Sequence, residues 1–172
     1  MSNILMVIAQ DMFRDEELFE TKEELEKAGN TVKVASREIK FCNGNQGGEI
    51  MPDIALEDAD LKDYDALVFV GGGGAKEYFD DKSVHEMART AERDGKILAA
   101  ICIAPVILAK AGLLFGRNAT VFPTGAPEII HKGAYYTEED VTVDGKIITA
   151  NGPKSSRAFG KMIALKLTER EA

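Results

Sequence analysis

Short, uninterrupted apolar runs recur along this chain and alternate with stretches of helical periodicity. "NILMVIA" (3–9), "ALVFV" (66–70) and "ILAAI" (97–101) carry no polar face, the pattern of strands buried on both sides. Between them lie "DEELFETKEELEKAG" (15–29), apolar at 18, 19, 25 and 28, and "DKSVHEMARTAERDG" (81–95), apolar at 84, 87, 88 and 91. Both spacings predict amphipathic helices. "TVKVAS" (31–36), "ATVFP" (119–123), "VTV" (141–143) and "KIITA" (146–150) read as further strands, with a tight turn at Asp144-Gly145. "APVILAKAGLL" (104–114), with Pro105 in its first turn, and "SSRAFGKMIALKLTE" (155–169) read as helices. Residues 37–64, turn-rich at "CNGNQGGE", predict short edge strands or a small hairpin. This order means βαβ units. It predicts one domain over residues 1–172, a flavodoxin-like, doubly wound α/β sandwich with a mainly parallel central sheet.

Composition narrows the function classes. A net charge of −8 repels phosphate backbones and argues against nucleic acid as a partner. No stretch approaches the roughly 20 apolar residues of a membrane helix. The start, "MSNILMVIAQDMFRDEE", lacks a basic opening and a small-residue cleavage site, so it reads as a core strand and not as a signal peptide. Two cysteines do not make a disulfide framework, and a reducing cytoplasm is expected. No His/Cys/Asp grouping has metal-ligand spacing, and neither a metal nor another cofactor is expected.

Three loops leave the carboxyl ends of the strands: "QDMFRDEE" after 3–9, "GGGG" (71–74) after 66–70, and Cys102 after 97–101. Parallel neighbours bring all three to one rim, where sites of open α/β sheets lie. Cys102 stands where a strand turns into a helix. Free N–H groups and the helix dipole there are expected to lower its thiol pKa. The same N–H groups, from Ile103 onward, could hold an oxyanion, and the glycine loop could add a second donor. The loop matches neither a phosphate-binding P-loop nor a dinucleotide fingerprint, since no Gly-Lys-Ser/Thr follows and Lys76 stands where the third glycine belongs. Asp15, Glu16 and Glu17 open the first helix. Periodicity alone does not choose which of them turns toward Cys102. His85 and His131 read as structural or exposed, and Cys42 as a bystander.

"AICIAP" at the corner, "DALVFVGGGG" before it, the acid-rich first helix and "ITANGPKSS" near the end resemble the DJ-1/PfpI superfamily, of the class I glutamine amidotransferase-like fold. The resemblance runs from residue 3 to about 168. It implies a homodimer or higher homo-oligomer and makes Cys102 the reactive cysteine. It selects Glu17, by its distance to "KAG" (27–29), as the carboxyl that hydrogen-bonds the thiol. It assigns the backbone N–H groups of Gly72 and Ile103 to the oxyanion, with Gly73 and Phe122 at the pocket. Two departures matter. Protease-like members carry His directly after the cysteine, where this chain has Ile103. Others carry His before the proline matching Pro123, where this chain has Phe122. No imidazole relay can be written with these neighbours. That disfavours an intracellular cysteine peptidase. It leaves chemistry on a small reactive carbonyl, of glyoxalase or deglycase type, or a protective response to an oxidant at Cys102. An ionised Glu17 would raise the thiol pKa, so either role needs Glu17 protonated when the thiolate forms.

Overall fold

The apolar runs form the middle of a seven-stranded sheet in the computed structural model, which describes residues 1–171. In chain order the elements are β1 (Asn3–Val7), β2 (Asp11–Phe13), α1 (Asp15–Lys27), β3 (Thr31–Ser36), β4 (Cys42–Gly44), β5 (Glu49–Ile50), β6 (Ile54–Ala55) and β7 (Ala66–Phe69). They continue with α2 (Lys82–Arg93), β8 (Ile97–Ile101), α3 (Pro105–Lys110), β9 (Asn118–Ala119), α4 (Ala126–His131), β10 (Tyr135–Tyr136), β11 (Val141–Asp144), β12 (Ile147–Ala150) and α5 (Ser156–Glu171). The sheet order is β11-β12-β8-β7-β1-β3-β6, parallel except for β11, which forms an antiparallel hairpin with β12 through Gly145. This is the expected doubly wound α/β sandwich.

Alternation within each run divides the core in two. Leu5, Val7, Leu67, Phe69, Leu98 and Ala100 face one side, where α2 and α3 pack through Val84, Ala88 and Ile107. Ile4, Met6, Val68, Ala99 and Ile101 face the other, covered by α1 and α5 through Leu18, Leu25, Phe159 and Ile163. Each such fully buried large side chain contributes about 1.5–3 kcal/mol.

Several boundaries differ from the sequence expectation. The helix expected over 104–114 is the six-residue α3, because Gly112, at φ +83°, closes it. The strand expected over 119–123 shrinks to β9, which pairs with β10 outside the main sheet. The short helix α4 went unread. Residues 37–64 contain the β4–β5 hairpin, which adds β2 to form a three-stranded sheet, and the edge strand β6. Among the described residues, no helix is long and apolar enough to cross a membrane, and no cluster of His, Cys, Asp or Glu is placed to hold a metal ion.

The chain builds from β1 outward in both directions, to β3 on one side and to β7 and β8 on the other. The direction therefore reverses between β1 and β7. The crevice beyond their carboxyl ends is where this class of sheet holds its ligands.

Candidate active site

Beyond β8 the chain turns through Cys102 at φ +65°, a left-handed conformation that costs a non-glycine residue about 1–2 kcal/mol. Two backbone hydrogen bonds hold it there. The Cys102 N–H donates to Ala150 O at 2.9 Å, and the Phe122 N–H donates to Cys102 O at 2.7 Å. The corner is thus clamped between the end of β12 and the segment after β9. The cysteine is 8% exposed.

The glycine loop after β7 packs against it. A Cβ on Gly71 would lie 2.7 Å from Cys102 Cβ and 2.6 Å from Glu17 Oε1, so a side chain there is excluded. A Cβ on Gly72, at φ +97°, would lie 2.5 Å from both the Met12 carbonyl oxygen and the Arg14 amide nitrogen. The loop is fixed to the segment after β1 by the Arg14 N–H, which donates to Gly71 O at 3.1 Å.

Of the three acids that open α1, Glu17 is the one turned inward, and it is fully buried. The covered face of α1 runs through Glu17, Leu18, Thr21, Glu24 and Leu25, whereas Phe19 and Ala28 face solvent. Oε1 of Glu17 accepts the Gly71 N–H at 2.9 Å. Oε2 is buried and makes no hydrogen bond of good geometry, so the neighbouring sulfur meets it through charge and proximity. Burial pushes the Glu17 carboxyl up to about 7, against the opposing pull of Cys102, the Gly71 amide and the Arg14 charge. Asp15 instead clamps the β4–β5 hairpin, accepting from Gln46 N at 3.0 Å and Gly48 N at 2.6 Å, and Glu16 pairs with Arg14 at 2.8 Å.

The Cys102 thiol is held up, which corrects the expectation of a lowered pKa. Burial is the main cause, followed by the charge of the adjacent Glu17. The backbone N–H groups of Gly72 and Ile103 pull the other way. The helix that was to lower the pKa has six residues and begins three residues after the cysteine, so its dipole is weak at the sulfur. Cysteine and glutamate form one coupled unit. With one proton between them, charge on the glutamate is stabilised by Gly71 N–H, and charge on the sulfur by Gly72 and Ile103 N–H.

A cleft of ≈ 540 Å³ lies near this unit, lined among others by Arg14, Glu16, Phe122, Pro123, Asn151 and Lys154; Cys102, Glu17, Gly72 and Ile103 do not line it. Phe122 is therefore at the cleft. Gly73 is exposed, has open space around its Cα and is not part of the lining. Neither histidine lines the cleft. His85 is buried in α2 with Nε2 2.6 Å from Phe79 O, and His131 is exposed at the end of α4. Cys42 is fully buried in the hairpin, its thiol also raised by burial. Arg14, Asn151 and Lys154 were missed from sequence. Yet β12 is parallel to β8, so residues 151–154 are a fourth loop at the same rim, reachable by the connectivity argument already used for three.

The sequence and the fold both have close counterparts. The DJ-1/PfpI family model matches residues 2–166. An uncharacterised protein of Methanocaldococcus jannaschii is 42% identical over 164 residues, covering 92% of this chain and 79% of that protein. A protein of Pyrococcus abyssi named as a deglycase is 31% identical, covering 87% of this chain and 90% of its own length. The crystal structure of a ThiJ/PfpI domain protein from Brachyspira murdochii superposes with a TM-score of 0.95 at 36% identity, covering 97% of this chain and 96% of that one. With its family model matched over nearly its whole length, the chain belongs to the DJ-1/PfpI family.

Proposed function

We propose that this protein is a cysteine-dependent enzyme acting on small reactive carbonyls, with Cys102 as nucleophile and Glu17 as proton shuttle. The reading is supported by the burial of Glu17 and Cys102 side by side, near the N–H groups of Gly72 and Ile103, with no histidine lining the cleft. The name of the Pyrococcus abyssi relative points the same way.

For a 2-oxoaldehyde the steps balance without an outside oxidant. The sulfur of the thiolate–carboxylic acid tautomer bonds to the aldehyde carbon. The carbonyl electrons move to oxygen, which the Gly72 and Ile103 N–H groups stabilise, a contribution of about 3 kcal/mol per donor in hydrolases. Glu17 gives that oxygen its proton. As carboxylate it then takes the proton from the former aldehyde carbon and returns it to the neighbouring carbon, while the hydroxyl proton on the first oxygen passes to the second. One carbon is thereby oxidised to a thioester and the other reduced to an alcohol. Water cleaves the thioester, releasing a 2-hydroxy acid and restoring the pair. The reaction would run in the cytoplasm, in a homodimer or larger homo-oligomer.

Methylglyoxal is the test substrate. Lactate formation by the purified protein, abolished in Cys102→Ser, is the expected result. Equal background rates in the two proteins would overturn the proposal.

A second reading rests on the unpartnered Glu17 Oε2. A protonated carboxyl there would donate to an oxidised sulfur and favour a sulfinate at Cys102. Mild peroxide should then add two oxygens at Cys102 and none at Cys42. Oxidation of Cys42 first, or of neither, would remove it. Peptide hydrolysis is disfavoured, since Ile103 and Phe122 supply no base.

A further inference from the structure

We propose that the cleft beside Cys102 is a carboxylate-recognition subsite, in which Arg14 receives the carboxylate tail of a substrate whose reactive carbonyl faces the cysteine. Reaction at Cys102 is taken from the carbonyl reading above; the selection of an anionic tail is what Arg14 adds to it.

The cleft is fastened to the site by backbone on three sides. Arg14 N–H donates to the glycine loop at Gly71 O, Phe122 N–H donates to Cys102 O, and Asn151 directly follows Ala150, whose carbonyl accepts the Cys102 N–H. Cys102 itself does not line the cleft, but a molecule there lies against segments hydrogen-bonded to the turn that carries it. Its volume of ≈ 540 Å³ exceeds what a three-carbon dicarbonyl fills, so there is room for a longer chain. Phe122, Pro123 and Pro153 give that chain apolar walls.

The lining carries two cations, Arg14 and Lys154, and two acids, Glu16 and Glu20. Arg14 sends both Nε, at 3.1 Å, and Nη2, at 2.8 Å, to a single oxygen of Glu16. Its Nη1 has no hydrogen-bond partner among the described residues, so the fork is half used. Glu20, also in the lining, meets Arg157 at 3.8 Å, an arginine that pairs more closely with Glu23 and Glu24. Lys154 lines the cleft and has no ion pair among the described residues. Glu16 is thus paired within the cleft by Arg14, while the Lys154 ammonium is left for an incoming anion. Asn151 is locked by a bond from its Nδ2 to Asp140 and by one accepted from Ser155, so the wall opposite Arg14 is rigid. An incoming carboxylate can take the place of Glu16 on Arg14 and add the unused Nη1. That exchange gives up two N–H contacts to one oxygen and gains a fork in which both carboxylate oxygens are met. Glu16, about a third exposed, is free to swing into water.

Iodoacetate and iodoacetamide test this without turnover. Both alkylate by the same displacement, with the sulfur bonding to carbon as iodide leaves, and they differ in carrying a carboxylate or an amide. The readout is the ratio of their rates at Cys102, followed by intact mass, with Cys102→Ser as the unlabelled control. The ratio cancels any change in the thiol itself. Arg14→Gln is expected to lower the iodoacetate-to-iodoacetamide ratio about tenfold, the scale of one charge-assisted contact. Arg14→Lys, which keeps the charge without the fork, should fall between. Acetate should slow iodoacetate labelling in the unmodified protein. A ratio unchanged in Arg14→Gln and Arg14→Lys overturns the proposal. Failure to turn over methylglyoxal would sink the carbonyl reading and leave this ratio standing, so the two failures are distinct.

Discussion

The amide of Gly71 donates to Oε1 of Glu17 at 2.9 Å, and the same glycine leaves the gap through which that carboxyl meets Cys102. A Cβ in the gap would also lie 2.8 Å from Ile101 O. None of these neighbours is the end of a flexible surface chain. Gly71→Ala is therefore expected to lower stability by about 1–3 kcal/mol through overpacking. Gly73→Ala, two residues on, places its Cβ where nothing lies within 4 Å and should stay within about 0.5 kcal/mol of the parent. Urea denaturation of the three proteins checks the contrast. Equal losses at 71 and 73 would show that the gap does not matter.

Glu17 gives the fold a pH dependence of predictable sign. Its carboxyl titrates near 7 in the folded chain, against an ordinary 4.5. Between those values the folded state keeps a proton that the unfolded chain has lost. The favourable contribution is complete below about 4.5 and disappears as pH rises through about 7. A shift of this size is worth about 3 kcal/mol. Glu17→Gln removes the titration. Its stability relative to the parent should rise between pH 5 and pH 8, as measured by denaturation at both. Parallel profiles would contradict the raised carboxyl.

Why Glu17 could not be chosen from sequence is plain once α1 is seen. Helical periodicity follows apolar residues, and the buried stripe of α1 is half polar: Glu17, Thr21 and Glu24 share it with Leu18 and Leu25. The apolar Phe19 meanwhile lies outside it, its ring edge-on to Phe13 at 6.0 Å. The central strands were legible because both their faces are buried, so polarity alone marks them. β9 was overread because Thr120 and Val121 are buried without being paired in the sheet. Thr120 is held by the Thr149 hydroxyl and the Glu139 carbonyl instead. The cleft was the least legible part. Its walls come from positions near 14, 122 and 151, and only the closed sheet brings them together.

Cys102 should be a slow thiol in the resting protein. Burial and the Glu17 charge hold its proton on. Alkylation by iodoacetamide is expected to keep rising with pH beyond 8.5, the usual cysteine range. In Glu17→Gln the charge is gone and the Gly72 and Ile103 N–H groups remain. Labelling at pH 7.5 should then rise about tenfold, the effect of one pKa unit. Turnover of methylglyoxal should fall in the same variant, because the shuttle is lost. Faster labelling with slower turnover separates a proton carrier from a simple activator of the thiol. A parent thiol already saturated below pH 7 would place the resting charge on sulfur and reverse the assignment.

Asp15 predicts a local change that spares the cysteine. Its two oxygens take the amides of Gln46 and Gly48, and Gly44 and Gly48 leave room for the carboxylate between the hairpin strands. Asp15→Ala strands both amides and unfastens β4–β5 from the start of α1. Amides at 46 and 48 should exchange about 10- to 100-fold faster, the loss of about 1.4–2.7 kcal/mol of local protection. Amides of β7 and β8, which pair deep in the main sheet, should be unaffected. Asp15→Asn keeps one acceptor oxygen and should retain one of the two protections. If exchange at 46 and 48 is the same in all three proteins, the hairpin is held by β2 pairing alone and Asp15 serves only the dipole of α1.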